Sequence, residues 1–210
     1  MVDRSLVDRC LYLCTPDRPD LVPFVEACIA GGVDVVQLRD KQLEARSLLD
    51  RAHLLVSLCR SHGVPFILND RPDLALACGA DGVHVGQDDC PPRIARSIMG
   101  PAAIIGLSTH APADLEASHH EPIDYISCGP VHPTPTKPGR GGTGLDYLGL
   151  AAQQAAHPFF VTGGATPDTV GEMVAAGASR FVAVRWLTEA ADPEAAARDL
   201  RAAIERALSR

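Results

Sequence analysis

Eight short apolar runs, separated by amphipathic stretches, constrain the fold of this chain more than any other feature. They occupy residues 10–14, 34–38, 65–68, 82–85, 103–107, 124–127, 159–161 and 180–184. Runs this short and this apolar suit strands buried on both faces of a parallel sheet. The stretches between them carry helical periodicity. In 43–62, Ala45, Leu48, Leu49, Ala52, Leu55 and Cys59 fall on one stripe, and Gly63 stands where a helix stops. Thr166-Pro167 predicts an N-cap and first helical position for a helix that ends before Gly177. Asp192-Pro193 opens the last helix, with Ala197, Leu200, Ile204 and Leu208 facing inward.

A degenerate phrase recurs: Ala30-Gly31-Gly32-Val33-Asp34, Ala77-Cys78-Gly79-Ala80-Asp81-Gly82 and Ala175-Ala176-Gly177-Ala178-Ser179. Each precedes an apolar run, as expected where a helix ends on glycine and the chain drops into the next strand. Eight strands in 210 residues allow roughly 26 residues per βα unit, which predicts a single (β/α)8 TIM barrel over 1–210. An open doubly wound sheet would place a glycine-rich turn after the first strand. The turn here is Thr15-Pro16-Asp17-Arg18-Pro19, with no glycine. Gly139, Gly141 and Gly144 spell G-x-G-x-x-G, but behind a proline-rich loop rather than a strand, so that match is read as accidental.

Composition narrows the function. A net charge of −7 with no dense Lys/Arg run argues against a nucleic-acid surface. Seven cysteines, an odd number without a Cys-x-x-Cys pair, argue against a disulfide framework or a zinc site and for a reducing compartment. The acid-bearing start Met1-Val2-Asp3-Arg4 has no apolar run behind it, and no window is long enough for a membrane helix. A soluble, cytoplasmic protein without membrane or nucleic-acid partners is expected; the sequence leaves open whether it forms a homo-oligomer.

In a barrel of this kind chemistry sits where the strands end at their C-terminal side. After the second run, alternation puts Gln37, Arg39 and Lys41 on one side, a set suited to a strongly anionic group such as diphosphate. Asn69-Asp70 follows the third run and Gly86-Gln87-Asp88-Asp89 the fourth. Carboxylates beside an anion cradle need a cation between them, and Asp70 with Asp89 fits magnesium, which takes one or two carboxylates and completes its shell with phosphate oxygens and water. The bland alternative is that each Asp caps a helix.

Ser108, Thr109 and His110 follow the fifth run. After the sixth comes Gly129-Pro130-Val131-His132-Pro133-Thr134-Pro135-Thr136-Lys137-Pro138, a stiff loop with two hydroxyls and an ammonium. The glycines that follow make 129–143 a candidate lid. Gly163-Gly164 follows the seventh run and Val184-Arg185 the eighth, the positions where barrels commonly bind phosphate. His84, inside the fourth run, reads as a satisfied core histidine, and His119-His120 as a solvated helix end. No histidine or cysteine cluster predicts a transition metal.

These segments resemble the thiamine phosphate synthase family over nearly the whole chain. The most specific parts are Asn69-Asp70-Arg71, Gly82-Val83-His84-Val85-Gly86-Gln87-Asp88-Asp89, and Gly129-Pro130 through Thr134-Pro135-Thr136-Lys137. The resemblance implies an enzyme that joins an aminopyrimidine diphosphate to a thiazole phosphate with loss of diphosphate. It implies that Gln37, Arg39, Lys41, Asn69, Ser108 and Lys137 bind the pyrimidine diphosphate, with Arg39, Lys41, Ser108 and Lys137 acting in catalysis. It assigns Asp70 and Asp89 to Mg2+, and Thr134, Thr136, Gly163, Gly164, Val184 and Arg185 to the thiazole phosphate. Arg185 and Trp186 depart from the small residue or serine many members carry there. Two other functions are kept: a thiazole tautomerase of the same fold, and a non-catalytic module that binds thiamine precursors.

Overall fold

The computed structural model describes residues 6–134 and 141–209. Its strands are β1 (Leu11–Thr15), β2 (Val35–Leu38), β3 (Phe66–Asn69), β4 (Gly82–Val85), β5 (Ile104–Thr109), β6 (Tyr125–Cys128), β7 (Phe159–Val161) and β8 (Phe181–Ala183). They pair in parallel in chain order, and β8 pairs back onto β1 to close the barrel. Around them run α1 (Leu21–Ala30), α2 (Ala45–Ser61), α3 (Pro72–Cys78), α4 (Pro92–Met99), α5 (Pro112–Ser118), α6 (Gly144–Gln154), α7 (Val170–Ala175), the short α8 (Arg185–Thr188) and α9 (Pro193–Leu208). This is the expected (β/α)8 architecture.

Every residue of the eight strands is buried, and their alternation sorts side chains into two cores. Leu11, Leu13, Val36, Leu38, Phe66 and Leu68 face the helices. Tyr12, Val35, Ile67, Ile104, Tyr125 and Phe160 fill the barrel axis. The inner layer fits because β5 carries a glycine: a Cβ on Gly106 would stand 2.2 Å from Cζ of Tyr125. Tyr125 therefore lies across the axis, where its ring meets Phe160 edge-on at 5.5 Å between centroids.

Proline starts four of the helices, at Pro72, Pro92, Pro112 and Pro193. A first-turn proline gives up an N–H that has no helical acceptor anyway. Among the described helices only α9 has a side-chain cap, Asp192 accepting from the Ala195 amide at 3.0 Å. Helix α7 departs from expectation. It begins at Val170 rather than behind Thr166, because Thr169 Oγ1 accepts from the Thr166 amide (3.0 Å) and donates to the Gly164 carbonyl (2.6 Å). That hydroxyl holds 166–169 as a turn tied to the loop after β7. Strand β5 also runs further than expected: Ser108 and Thr109 pair with Ser127 and Cys128 and so lie within the strand. Strand β3 likewise includes Asn69, and β8 stops before Val184.

An aspartate heads β2, β4 and β6. Asp34 accepts from the Cys10 and Leu11 amides at 2.9 and 3.0 Å, Asp81 from the Phe66 amide at 3.0 Å, and Asp124 from the Ile105 amide at 2.7 Å. Each aspartate's own amide donates back to the same neighbouring strand. These reciprocal pairs fix strand register at the end of the barrel opposite the mouth. Arg201 of α9 reaches Asp34 at 2.7 Å, which ties the last helix to the first βαβ unit of the ring. Asp34→Ala would orphan two amides and is expected to cost about 2–4 kcal/mol, read as a lowered urea midpoint. Asp34→Asn, which keeps one acceptor oxygen, is expected to cost less.

Candidate active site

The strands' C-terminal ends surround a cavity of about 330 Å³. Five buried polar side chains line it: Gln37 (4% exposed), Asn69 (8%), His84 (7%), Ser108 (4%) and Ser127 (6%). Gln37, Arg39 and Lys41 all line the cavity, as alternation past β2 requires, while Leu38 faces the helices. Asp70 and Asp89 reach the same rim from β3 and β4.

The two carboxylates converge on one cation. Lys41 Nζ lies 2.8 Å from Asp70 Oδ2 and 3.9 Å from Asp89 Oδ1. The backbone makes this possible at two points. Asp70 adopts a left-handed φ of +62°, its amide donating to the His84 carbonyl at 2.8 Å, and so turns sharply off β3. Asp89 folds back to accept from the Gly86 amide at 2.9 Å, an approach a Cβ on residue 86 would obstruct at 2.7 Å. Neither Asp caps a helix: the N-caps of α3 and α4 are Arg71 and Pro91, without side-chain bonds.

The pair divides its protons unequally. Burial pushes the Asp70 carboxyl above the ordinary Asp value, opposed by Lys41 and reinforced by Asp89. Partial burial also pushes Asp89 upward, but its bonds to Asp70 and the Gly86 amide, with the charges of Lys41 and Arg39, outweigh that and hold it below the ordinary value. A cation placed between the two relieves both the crowding and the repulsion.

Opposite this acidic rim the mouth is built from backbone. Gly163 and Gly164 have φ of +92° and +93°, and a Cβ on either would collide with Pro130 (2.5 Å) or His132 (2.8 Å). The β7 loop is laced to the β6 loop by the Val131 amide on the Thr162 carbonyl at 2.8 Å. Next to it α8 starts at Arg185, and its Leu187 and Thr188 amides both bond the Val184 carbonyl, at 3.0 and 2.9 Å. Val184, Arg185 and Trp186 line the mouth, and Trp186 Nε1 donates to the Ala196 carbonyl at 2.9 Å, which fixes the indole against α9. Thr134 also lines the cavity. Thr136 and Lys137, and the middle of the 129–143 segment, lie outside the described residues.

The floor holds residues that sequence reasoning passed over. Gln37 Nε2 donates to Tyr12 Oη, Tyr12 Oη meets Tyr125 Oη, and Tyr125 Oη meets His84 Nδ1, each at 2.9 Å. His84 Nε2 in turn lies 2.9 Å from Ser108 Oγ. His84 is thus a hydrogen-bonded interior histidine, as expected, but one that borders the cavity. Gln87 Nε2 bonds the Ser108 carbonyl at 2.7 Å, and His110 Nδ1 bonds the Gly129 carbonyl. The signal for Tyr12 and Tyr125 was present in strand alternation, which turns both toward the axis.

The sequence profile of the family described as thiamine monophosphate synthase matches residues 11–187. The chain is 47% identical over 210 residues to a thiamine-phosphate synthase of Mycolicibacterium smegmatis, with 94% of this chain and 92% of that one covered. It is 48% identical over 197 residues to a thiamine-phosphate synthase of Thermobifida fusca, covering 91% and 90%. Among solved structures, a thiamine phosphate pyrophosphorylase from Pyrococcus furiosus superposes with a TM-score of 0.86 at 29% identity, covering 95% and 96%. A 3-hexulose-6-phosphate synthase from Salmonella typhimurium, at 16% identity and TM-score 0.70 with 94% and 99% covered, shares the fold alone.

The double-glycine turn admits no side chain. Gly163→Ala is expected to lose at least about 2 kcal/mol through strain and overpacking against Pro130, measured by urea denaturation. Gly171→Ala, on open helix surface, is expected to be neutral or slightly stabilising.

Proposed function

Because this chain belongs to the thiamine monophosphate synthase family, we propose that its mouth joins an aminopyrimidine diphosphate to a thiazole phosphate, releasing diphosphate and forming thiamine phosphate. The observation that carries this reading is the convergence of Asp70, Asp89 and Lys41 at one rim of a cavity whose other rim is glycine backbone and the start of α8. Two anionic groups can be held there at once, one with metal help and one by amides.

The displacement is dissociative: the C–O bond to diphosphate breaks and leaves a cation that the aminopyrimidine delocalises. The thiazole nitrogen then forms the C–N bond with its own lone pair, so no general base is needed. The carboxylates present fit Mg2+: two hard oxygen donors already share a cation, and phosphate oxygens and water complete the shell. When bound, Mg2+ supplies positive charge to the departing diphosphate. Arg39 and Lys41 stabilise the same charge from the β2 loop, and Lys137 is assigned the same task. Gln37, Asn69 and Ser108 orient the pyrimidine part at the floor. Thr134, Thr136, Gly163, Gly164 and the Val184–Arg185 backbone hold the thiazole phosphate, with Arg185 adding a guanidinium where many relatives have a hydroxyl. This division lets the protein act by positioning and preorganised charge. The absence of any disulfide among seven free cysteines supports a cytoplasmic setting.

The test is product formation from the two substrates with Mg2+ and then with EDTA. Thiamine phosphate is expected with metal and not with chelator, and Asp70→Ala and Arg39→Ala are each expected to lower kcat on the order of 100- to 1000-fold. No coupling, with the thiazole phosphate isomerised instead, would replace this reading with the tautomerase. Lys41 competes for the carboxylates when no substrate is bound. Lys41→Met is therefore expected to bind Mn2+ about tenfold more tightly than wild type, by calorimetry, while turning over more slowly.

A further inference from the structure

The hydrogen bonds under the cavity have a direction, and one fixed donor sets it. Gln37 Nε2 can only donate, and Gln37 Oε1 accepts from Cys14 Sγ at 3.1 Å. Tyr12 Oη therefore accepts. Tyr12 is 2% exposed, so its own proton needs a protein acceptor, and among the described residues the bonded one is Tyr125 Oη. Tyr125 Oη, having accepted, sends its proton to His84 Nδ1. The reverse order would leave the Tyr12 proton buried without an acceptor, at the cost of a lost hydrogen bond.

Since His84 Nδ1 accepts, the neutral ring carries its proton on Nε2 and donates to Ser108 Oγ at 2.9 Å. Ser127 Oγ donates to the same oxygen across 3.4 Å. A serine hydroxyl has two acceptor lone pairs and one proton. With both lone pairs engaged from below, the Ser108 proton is left to point into the cavity.

We infer that Tyr12, Tyr125 and His84 form a one-way hydrogen-bond relay that fixes Ser108 as a donor toward the anionic substrate. They are positioning residues: none needs to touch the reacting atoms, and each acts through Ser108. The inference rests on the proposed contact between Ser108 and the pyrimidine diphosphate. The relay gives the site a hydroxyl donor whose direction is set before substrate arrives. A free hydroxyl would have to be ordered on binding, and would spend part of its time donating to its neighbours rather than to the substrate.

The first test needs no substrate. Nitrogen-15 NMR of histidine-labelled protein, with the His84 signals assigned by their loss in His84→Gln, is expected to show Nε2 protonated and Nδ1 bare at neutral pH. The opposite tautomer, or an imidazolium, would overturn the inference. The second test is a double-mutant cycle on turnover. Tyr125→Phe alone is expected to lower kcat about tenfold, the scale of one hydrogen bond, with KM for both substrates little changed. In a Ser108→Ala background the same change is expected to alter kcat by less than about twofold. An equal tenfold loss in both backgrounds would assign Tyr125 a general structural role and sink the relay. If Tyr125→Phe does not fold, the tautomer still decides. If wild-type protein makes no thiamine phosphate while the tautomer is as inferred, the functional reading fails and the relay's direction stands.

Discussion

A closed ring of parallel strands turns every second side chain toward a common axis, and the contents of that axis decide what the rest of this molecule can do. Here the lower part is aromatic and the upper part polar. Tyr12, Tyr125 and Phe160 pack edge to face across the centre, with Gly106 leaving the room that Tyr125 needs. Above them β2, β3, β4 and β5 present Gln37, Asn69, His84 and Ser108. The two tyrosines belong to both layers, with rings in the apolar one and hydroxyls in the polar one. Desolvation raises both phenols far above their ordinary range, which keeps them neutral donors and acceptors rather than charges.

The acidic rim obeys a different physics. Placing two carboxylates within reach of each other costs energy unless a cation stands between them, and Lys41 occupies that place in this structure. The arrangement is half-exposed, so its contribution to folding stability is small. Its value lies in keeping both carboxylates aimed at one point. The opposite end of the barrel is where charge serves the fold: Asp34 and Asp124 bond strand amides and are in turn bonded by Arg201 and Arg96.

Much of this was legible in the sequence. All eight strands were marked by apolar runs within one or two residues, because a strand buried on both faces cannot hide in a polar pattern. The site residues on the β2, β3 and β4 loops followed from alternation and from the rule that such barrels work at one end. The interior relay did not, because its bonds join residues 25, 41 and 113 positions apart. Register across the axis, not local pattern, brings Tyr12 to Tyr125. The start of α7 was misjudged for a similar reason: the Thr166-Pro167 signal is locally sound, but the Thr169 hydroxyl ties that stretch to Gly164. The Asp34 and Asp81 clamps were visible only as part of a repeated phrase, and Asp124 lay outside it, until the strand amides they serve were placed.

The aromatic layer also makes the cavity a blind well. Tyr12, Tyr125 and Phe160 pack across the shaft, and among the described residues the cavity opens where the strands end. The plug of the barrel thus sets how deep a ligand can sit, and its two hydroxyls reach the polar layer directly above it.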